Sequence, residues 1–419
     1  MPRLPNDCFA ISSEMISVGE ALEKIASLDL PGLPSVSVPL WDAEGYILYS
    51  DIHSSINVPQ AGNSAVDGYA FAFSGLGQET YCLKCIGRSA AGDPFKGVVK
   101  SGECIKIFTG AILPDGCDTI AMIEDCAELE GELVRIPESL KKGANFRQAG
   151  EDIKAGQLVL KAGTRLRPQE IGQLASIGKA DIEAVRKPVI GLFSTGDELL
   201  DPGNAVFPGS VFDSNRFMLN ALLRKCGADV IDFGILEDEQ QAVASALKKA
   251  ADQCDILVTS GGVSMGDEDH VKAAVEAIGS LNFWRIAIKP GRPLAMGQIA
   301  NTAFIGLPGN PVASMVCALM FIRPLIRRMT REIEASGLKA VMGKARFSMI
   351  KKPGRREWLR GRAGLSPDGS LFIEKYTSDG SGIISSLTWA NGIIELPENL
   401  EQIKEGDPIR FLSFTELFG

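Results

Sequence analysis

Three short apolar runs, each ending in a glycine-rich loop, limit this chain to a narrow set of folds. The runs are residues 188–193 (PVIGLF), 255–258 (DILV) and 302–305 (TAFI). The loops that follow are Ser194-Thr195-Gly196-Asp197-Glu198, residues 259–269 (TSGGVSMGDED, with Ser260, Gly261, Gly262, Ser264 and Asp269) and residues 306–311 (GLPGNP, with Pro308, Gly309, Asn310 and Pro311). Helical patterns of ten to fifteen residues separate most of these runs, the signature of parallel βαβ units. Loops at the strand ends of such a sheet are where ligands bind. Glycine lets the backbone approach a bound group and aim several N–H donors at one anion. The first two loops also carry acids, which repel a bare phosphate unless a cation lies between them. Phosphate plus a divalent metal is therefore the first functional reading. For any one loop the alternative is a plain turn whose Asp or Ser caps the next helix; three in succession favour a site. Pro311 suits a first helical position and a long apolar stretch follows, so the third loop reads as a helix N-terminus that favours an anion.

The chain has 419 residues, more than one hydrophobic core usually serves. Its net charge of −9 argues against nucleic acid as the main partner. The first residues lack an apolar core of signal-peptide length, and the longest uncharged apolar stretch, 311–322, is too short to span a bilayer. Nine scattered cysteines, an odd number, suit a reducing compartment, so a cytoplasmic location is expected. Cys82 and Cys85 lie in a strand-like run and differ by an odd number, so they point to opposite faces. With only two histidines in the chain, they read as buried small hydrophobes rather than zinc ligands.

Ser17, with Glu20 three residues on, opens a helix over 17–28. From Pro59 to about residue 150, short strands alternate with turns and make a β-rich domain. Within the α/β region, Asp213-Ser214 starts a helix to about Cys226, residues 239–253 form another, and strands are expected at 230–233 and 283–288. The last 80 or so residues return to short strands and turns, a separate β domain reading as a small barrel.

Several further motifs carry a resemblance. Asn63-Ser64-Ala65-Val66-Asp67-Gly68-Tyr69-Ala70 is similar to the N-S-A-M-D-G-Y-A of the molybdopterin molybdenumtransferase family, which includes MoeA and the E domain of gephyrin. Residues 104–110 (CIKIFTG) and 114–124 (PDGCDTIAMIE) resemble that family's R-I-M-T-G-A and acid-terminated run. Gly143-Ala144-Asn145-Phe146-Arg147 and Gly150-Glu151-Asp152-Ile153 resemble its G-x-N-x-R-x-x-G-E-D-I, and the three loops complete the set. The chain departs from the pattern at Ala61 and Gly62, where an aromatic and an acid are common, and at Arg285, where a lysine is common. At Arg285 a planar fork replaces a point donor.

The resemblance implies a multidomain α/β plus β fold. A MogA-like parallel-sheet α/β domain spans 186–332. A β-rich domain at 59–150 is inserted in an N-terminal linker domain made of 1–58 and 151–185, and a β-barrel-like domain spans 338–419. It also implies a Mg²⁺-dependent transfer of molybdate into adenylated molybdopterin with release of AMP. Molybdate can serve as the attacking oxygen, which suits a chain poor in histidine. Glu198 and Asp269 are the expected metal ligands; Asp238 either joins them or caps the helix at Glu239. Lys289, flanked by prolines in Ile288-Lys289-Pro290-Gly291-Arg292-Pro293, reads as a placed cation or a solvated one, with Arg292 a second choice. The resemblance gives Asp67, Thr109 and Asp152 catalytic roles and assigns Arg147, Arg285, Arg355 and Ser381 to substrate. For Asp67-Gly68 the alternative is a tight turn, and for Arg355 one solvated charge among several. It implies a homodimer with shared clefts and leaves room for transient partner proteins of the cofactor pathway. A non-catalytic scaffold and a nucleotide pyrophosphatase are the competing functions; the first has no use for acidic loops, the second none for residues 59–152 and 340–419.

Overall fold

The computed structural model describes residues 15–27, 32–76, 81–237, 239–262, 270–291, 293–333 and 339–418. At its centre lies a six-stranded sheet in the spatial order Asp229–Leu236, Val189–Thr195, Ile256–Ser260, Thr302–Leu307, Pro293–Ile299, Ser280–Arg285. The first four strands are parallel; Pro293–Ile299 runs against them, and Ser280–Arg285 pairs antiparallel with Pro293–Ile299. Ile190, Leu192, Ile256, Val258 and Ile305 turn to one face, against Leu219 and Leu223 of the Ser214–Lys225 helix and Val312 and Val316 of the Pro311–Cys317 helix. Phe193, Leu257 and Phe304 turn to the other, against the Gln240–Ala251 and His270–Ile278 helices. Burial on both faces is why these strands are apolar throughout rather than alternating. Asp213 opens its helix by accepting the Arg216 backbone N–H, as expected of a cap.

Chain direction creates a crevice. The first strand, Val189–Thr195, leads to the edge strand on one side, and the next connection crosses back to Ile256–Ser260 on its other side. A topological switch point therefore lies between the ends of these two central strands, at Thr195 and Ser260.

The expected strand at 283–288 is corrected. The sheet strand occupies Ser280–Arg285, and Ile288–Lys289 forms a separate short strand parallel to Arg356–Leu365, with Lys289 opposite Glu357. This extends a barrel of five strands, Val341–Ala345, Arg356–Leu365, Leu371–Lys375, Gly392–Leu396 and Pro408–Ser413, closed by pairing of Arg356–Leu365 with Gly392–Leu396. Leu359, Ile373, Ile394 and Phe411 fill it.

Nearer the N-terminus, Ser35–Pro39 pairs with Asp181–Val185, and Ile52–His53 with Leu158–Leu160. Chain from both sides of the 59–150 segment thus shares one core, including Val38, Leu48, Leu174 and Ile182. The intervening segment builds its own six-stranded sheet around Tyr69, Phe71 and Cys104. Ser17 and Glu20 satisfy each other's backbone N–H at the start of the Val18–Ser27 helix.

Glu332 fastens this N-terminal unit to the α/β domain. Its buried carboxylate accepts from Arg165 at 2.8 Å and from Arg327 at 2.9 Å. Burial alone would raise its pKa; the hydrogen bond and charge of Arg165, then those of Arg327, outweigh it and hold the carboxyl below the ordinary range. A depressed carboxyl contributes stability above its unfolded pKa and loses it as pH falls through the folded value. Glu332→Gln should cost about 3 kcal/mol at neutral pH, because two half-buried guanidinium groups lose their buried counter-charge. The difference from wild type should shrink as the solution is acidified. Urea unfolding across that pH range checks this; equal midpoints at pH 7 would contradict it.

Candidate functional site

Ser194, Ser260 and Leu307 stand side by side on adjacent strands, so the three glycine-rich loops leave the sheet together. Gly262 has φ of 65°, and a Cβ there would lie 2.4 Å from Thr195 Oγ1 and 2.5 Å from Val271 Cγ2. The second loop therefore rests directly on the first, and only glycine fits. A Cβ on Gly309 would lie 3.8 Å from the Gly261 Cα, which brings the third loop against the second. The Gly261 N–H donates to the Leu307 carbonyl at 3.1 Å.

Asn215 completes the arrangement. Its Nδ2 donates to Ser260 Oγ at 2.8 Å and to the Gly309 carbonyl at 2.6 Å, so one amide staples the second and third loops. Four oxygen atoms around this junction are buried without a hydrogen-bond partner among the described residues: Ser194 Oγ, Thr195 Oγ1, Ser314 Oγ and Asn215 Oδ1. Buried polar atoms are normally satisfied, so a cluster of orphans marks a place built for a polar ligand or ordered water.

Glu198 is exposed, and its carboxylate folds toward Gly196, whose Cβ would lie 2.6 Å from Glu198 Oε2. No cation among the described residues pairs with it. Asp238, Ser264, Asp269 and Arg292 lie outside the described residues. Arg285 ends its strand opposite Pro293, and its side chain is also outside them. Among the described residues there is no group of three His, Cys, Asp or Glu side chains able to hold a metal. Glu198 is a hard oxygen donor of the class Mg²⁺ accepts, on the same loop as the unpartnered Thr195 hydroxyl.

A second cluster sits where the barrel meets the α/β domain. Glu357, 2% exposed, receives Arg355 Nε at 3.0 Å and faces Lys289 Nζ at 3.5 Å. Lys289 also reaches Asp379 at 3.2 Å, and Asp379 accepts from Lys375 at 2.7 Å. Neither Lys289 nor Arg355 is an isolated surface charge. Burial would raise the Asp379 pKa, but the Lys375 and Lys289 hydrogen bonds prevail and lower it. Burial pushes the Lys351 ammonium down, with Glu357 opposing.

The third loop does start a helix, Pro311–Cys317, and part of that helix start is covered. Pro311 has no N–H, and the Val312 N–H donates to the Ser381 carbonyl at 3.1 Å. The loop that carries Ser381 and Asp379 thus covers this helix start and touches Lys289. Ser381 acts here through its backbone.

In the β-rich segment, Asp67 Oδ1 accepts both the backbone N–H and the hydroxyl of Thr109 at 2.7 Å. These donors, the backbone first, hold its pKa below the usual carboxylate value. Gly68 begins the Gly68–Phe71 strand, where a Cβ would lie against the Ala121 carbonyl, so strand packing rather than a tight turn explains the glycine. Arg147 pairs with Asn63, and the Asp152 N–H donates to the Val58 carbonyl. The hydrogen-bonded neighbours of these four residues all belong to residues 58–147. They form a group separate from the glycine-rich loops. A cavity of about 770 Å³ lies elsewhere, between the Val18–Ser27 helix, Arg323 and barrel residues such as Trp358 and Pro397.

The fold and these loops define a molybdopterin-binding protein of cofactor biosynthesis, and comparison with known proteins agrees. Family models for the MoeA N-terminal region (domains I and II), a probable molybdopterin binding domain and the MoeA C-terminal region (domain IV) match residues 16–178, 191–328 and 342–414. The molybdopterin molybdenumtransferase of Haemophilus influenzae is 36% identical over 380 residues, covering 91% of this chain and 94% of its own length. That of a Nostoc species is 32% identical, covering 90% and 88%. The crystal structure of the molybdopterin biosynthesis MoeA protein from Pyrococcus horikoshii superposes with a TM-score of 0.81 at 27% identity, over 96% of this chain and 100% of that one. The chain belongs to the molybdopterin molybdenumtransferase family and is an enzyme. No helix among the described residues is long and apolar enough to cross a membrane.

Proposed function

We propose that this enzyme inserts molybdate into adenylated molybdopterin and releases AMP and the molybdenum cofactor. One observation carries the reading. Lys289 and Arg355 converge on Glu357 beside the Ser381 loop, which itself lies on the helix start of the third glycine-rich loop. A cationic pocket for a doubly charged oxyanion then adjoins loops suited to a phosphate-bearing pterin. In this reading Thr195, Gly196, Ser260, Gly261, Gly262, Pro308, Gly309 and Asn310 seat the pterin and its phosphates. Lys289 and Arg355 hold molybdate so that one of its oxygens meets the pyrophosphate in line, a matter of positioning and charge neutralisation. Glu198, with Asp238 and Asp269, would hold Mg²⁺, which offsets phosphate charge when bound.

The four-part division at 59–150, 186–332 and 338–419, with a linker domain of 1–58 and 151–185, belongs to this proposal. So does a homodimer in which Asp67, Thr109, Arg147 and Asp152 complete the partner's cleft. The separation of those residues from the loops within one chain supports the dimer, and the described cysteines, all free, support a cytoplasmic location.

Incubation with adenylated molybdopterin, Mg²⁺ and molybdate tests the activity. AMP and cofactor should form together and only with molybdate, and Glu198→Gln should slow AMP release at least about tenfold with the fold intact. AMP release without molybdate would favour a pyrophosphatase, and full activity of the variant at limiting Mg²⁺ would remove Glu198 from the site. Mixing Asp67→Asn with Glu198→Gln protein should restore part of the activity through one intact cleft per heterodimer. A monomer by sedimentation, or no rescue after subunit exchange, would count against the shared cleft.

A further inference from the structure

We propose that Arg360 is a positioning residue for the oxyanion pocket, acting through the loop that carries Asp379 and Ser381; this rests on the reading of Lys289 and Arg355 given above. Arg360 lies on the barrel strand Arg356–Leu365 and is 2% exposed. Its Nη2 donates to the Ser378 carbonyl at 2.8 Å and to the Gly380 carbonyl at 3.0 Å, and its Nε to Ser386 Oγ at 2.9 Å. No carboxylate among the described residues lies within ion-pair distance of it. A buried guanidinium held only by carbonyls and a hydroxyl is costly, and an apolar residue would pack the same space without that cost.

The geometry shows what the guanidinium does. The two carbonyls it grips flank Asp379, the residue whose carboxylate meets Lys289 at 3.2 Å and Lys375 at 2.7 Å. One residue further on, the Ser381 carbonyl takes the Val312 N–H. The Ser386 hydroxyl donates in turn to the Ile383 carbonyl at 2.6 Å, which closes the loop's far end. A single planar fork therefore fixes two contacts, one to the pocket lysine and one to the helix start of the third glycine-rich loop. A lysine at this place has a point charge and cannot span both carbonyls and the hydroxyl in one plane.

Arg360→Met, Arg360→Lys and Ser386→Ala test the assignment. Arg360→Met should raise the molybdate concentration for half-maximal cofactor formation about tenfold, with smaller loss at saturating molybdate and binding of adenylated molybdopterin within about twofold. Arg360→Lys should recover part of this, and Ser386→Ala, which removes the hydroxyl's two hydrogen bonds, one from Arg360 and one to the Ile383 carbonyl, should show a shift in the same direction about two- to threefold in size. Hydrogen exchange, read without substrate, should quicken across residues 376–386 and at the Val312 amide. If Arg360→Met does not fold, the other two variants carry the same test. Unchanged molybdate dependence and unchanged exchange in folded variants, or equal loss of pterin binding and turnover, would overturn the role of Arg360. A wild-type enzyme with no molybdate dependence would instead overturn the pocket itself, while exchange would still report whether Arg360 orders the loop.

Discussion

The arrangement depends on the carboxylate of Glu357. It sits on a barrel strand, almost wholly removed from water, and burying a carboxylate there is costly unless cations pair with it. Arg355 comes from the adjacent turn, Lys289 from the α/β domain by way of a short strand laid along the barrel edge. The cost of burying the acid is met by drawing two domains to one point. The same contact holds Lys289 against Asp379, whose loop covers the helix start after the third glycine-rich loop.

Around that junction the structure uses close backbone approach where another fold would use side chains. Gly262 allows the second loop to lie on Thr195, and the third loop packs against Gly261 at ordinary contact distance. Asn215 then holds two of the three loops with one amide. Among the described residues of these loops, the buried polar atoms left without a partner are small hydroxyls, Ser194 and Thr195, together with the Asn215 amide oxygen.

Much of this is legible from residue order. Apolar runs buried on both faces, caps at Ser17 and Asp213, and glycine-rich strand ends are local signals, and each corresponds to an observed element. Lys289 is visible as a placed residue from its flanking prolines, but its partners lie 68 and 90 residues away, so the end of the expected strand, Ile288, turns out to belong to the barrel edge rather than to the α/β sheet. Asn215 and Arg360 carry no local signal of importance. Their partners, Gly309 for one and Ser378 for the other, lie far along the chain and become neighbours only once each domain has folded. The capped helix start at Val312 is hidden for the same reason, since the covering carbonyl of Ser381 comes from the barrel. Local chemistry is readable along the chain, whereas charge pairing across domains requires the fold.

The most direct measurement is anomalous diffraction from crystals of the enzyme soaked in molybdate, recorded across the molybdenum absorption edge. A peak bounded by Lys289, Arg355 and the Ser381 loop, lost in Lys289→Ala crystals, is the predicted result. A peak at the glycine-rich loops alone, or one that persists unchanged in Lys289→Ala crystals, would contradict the account.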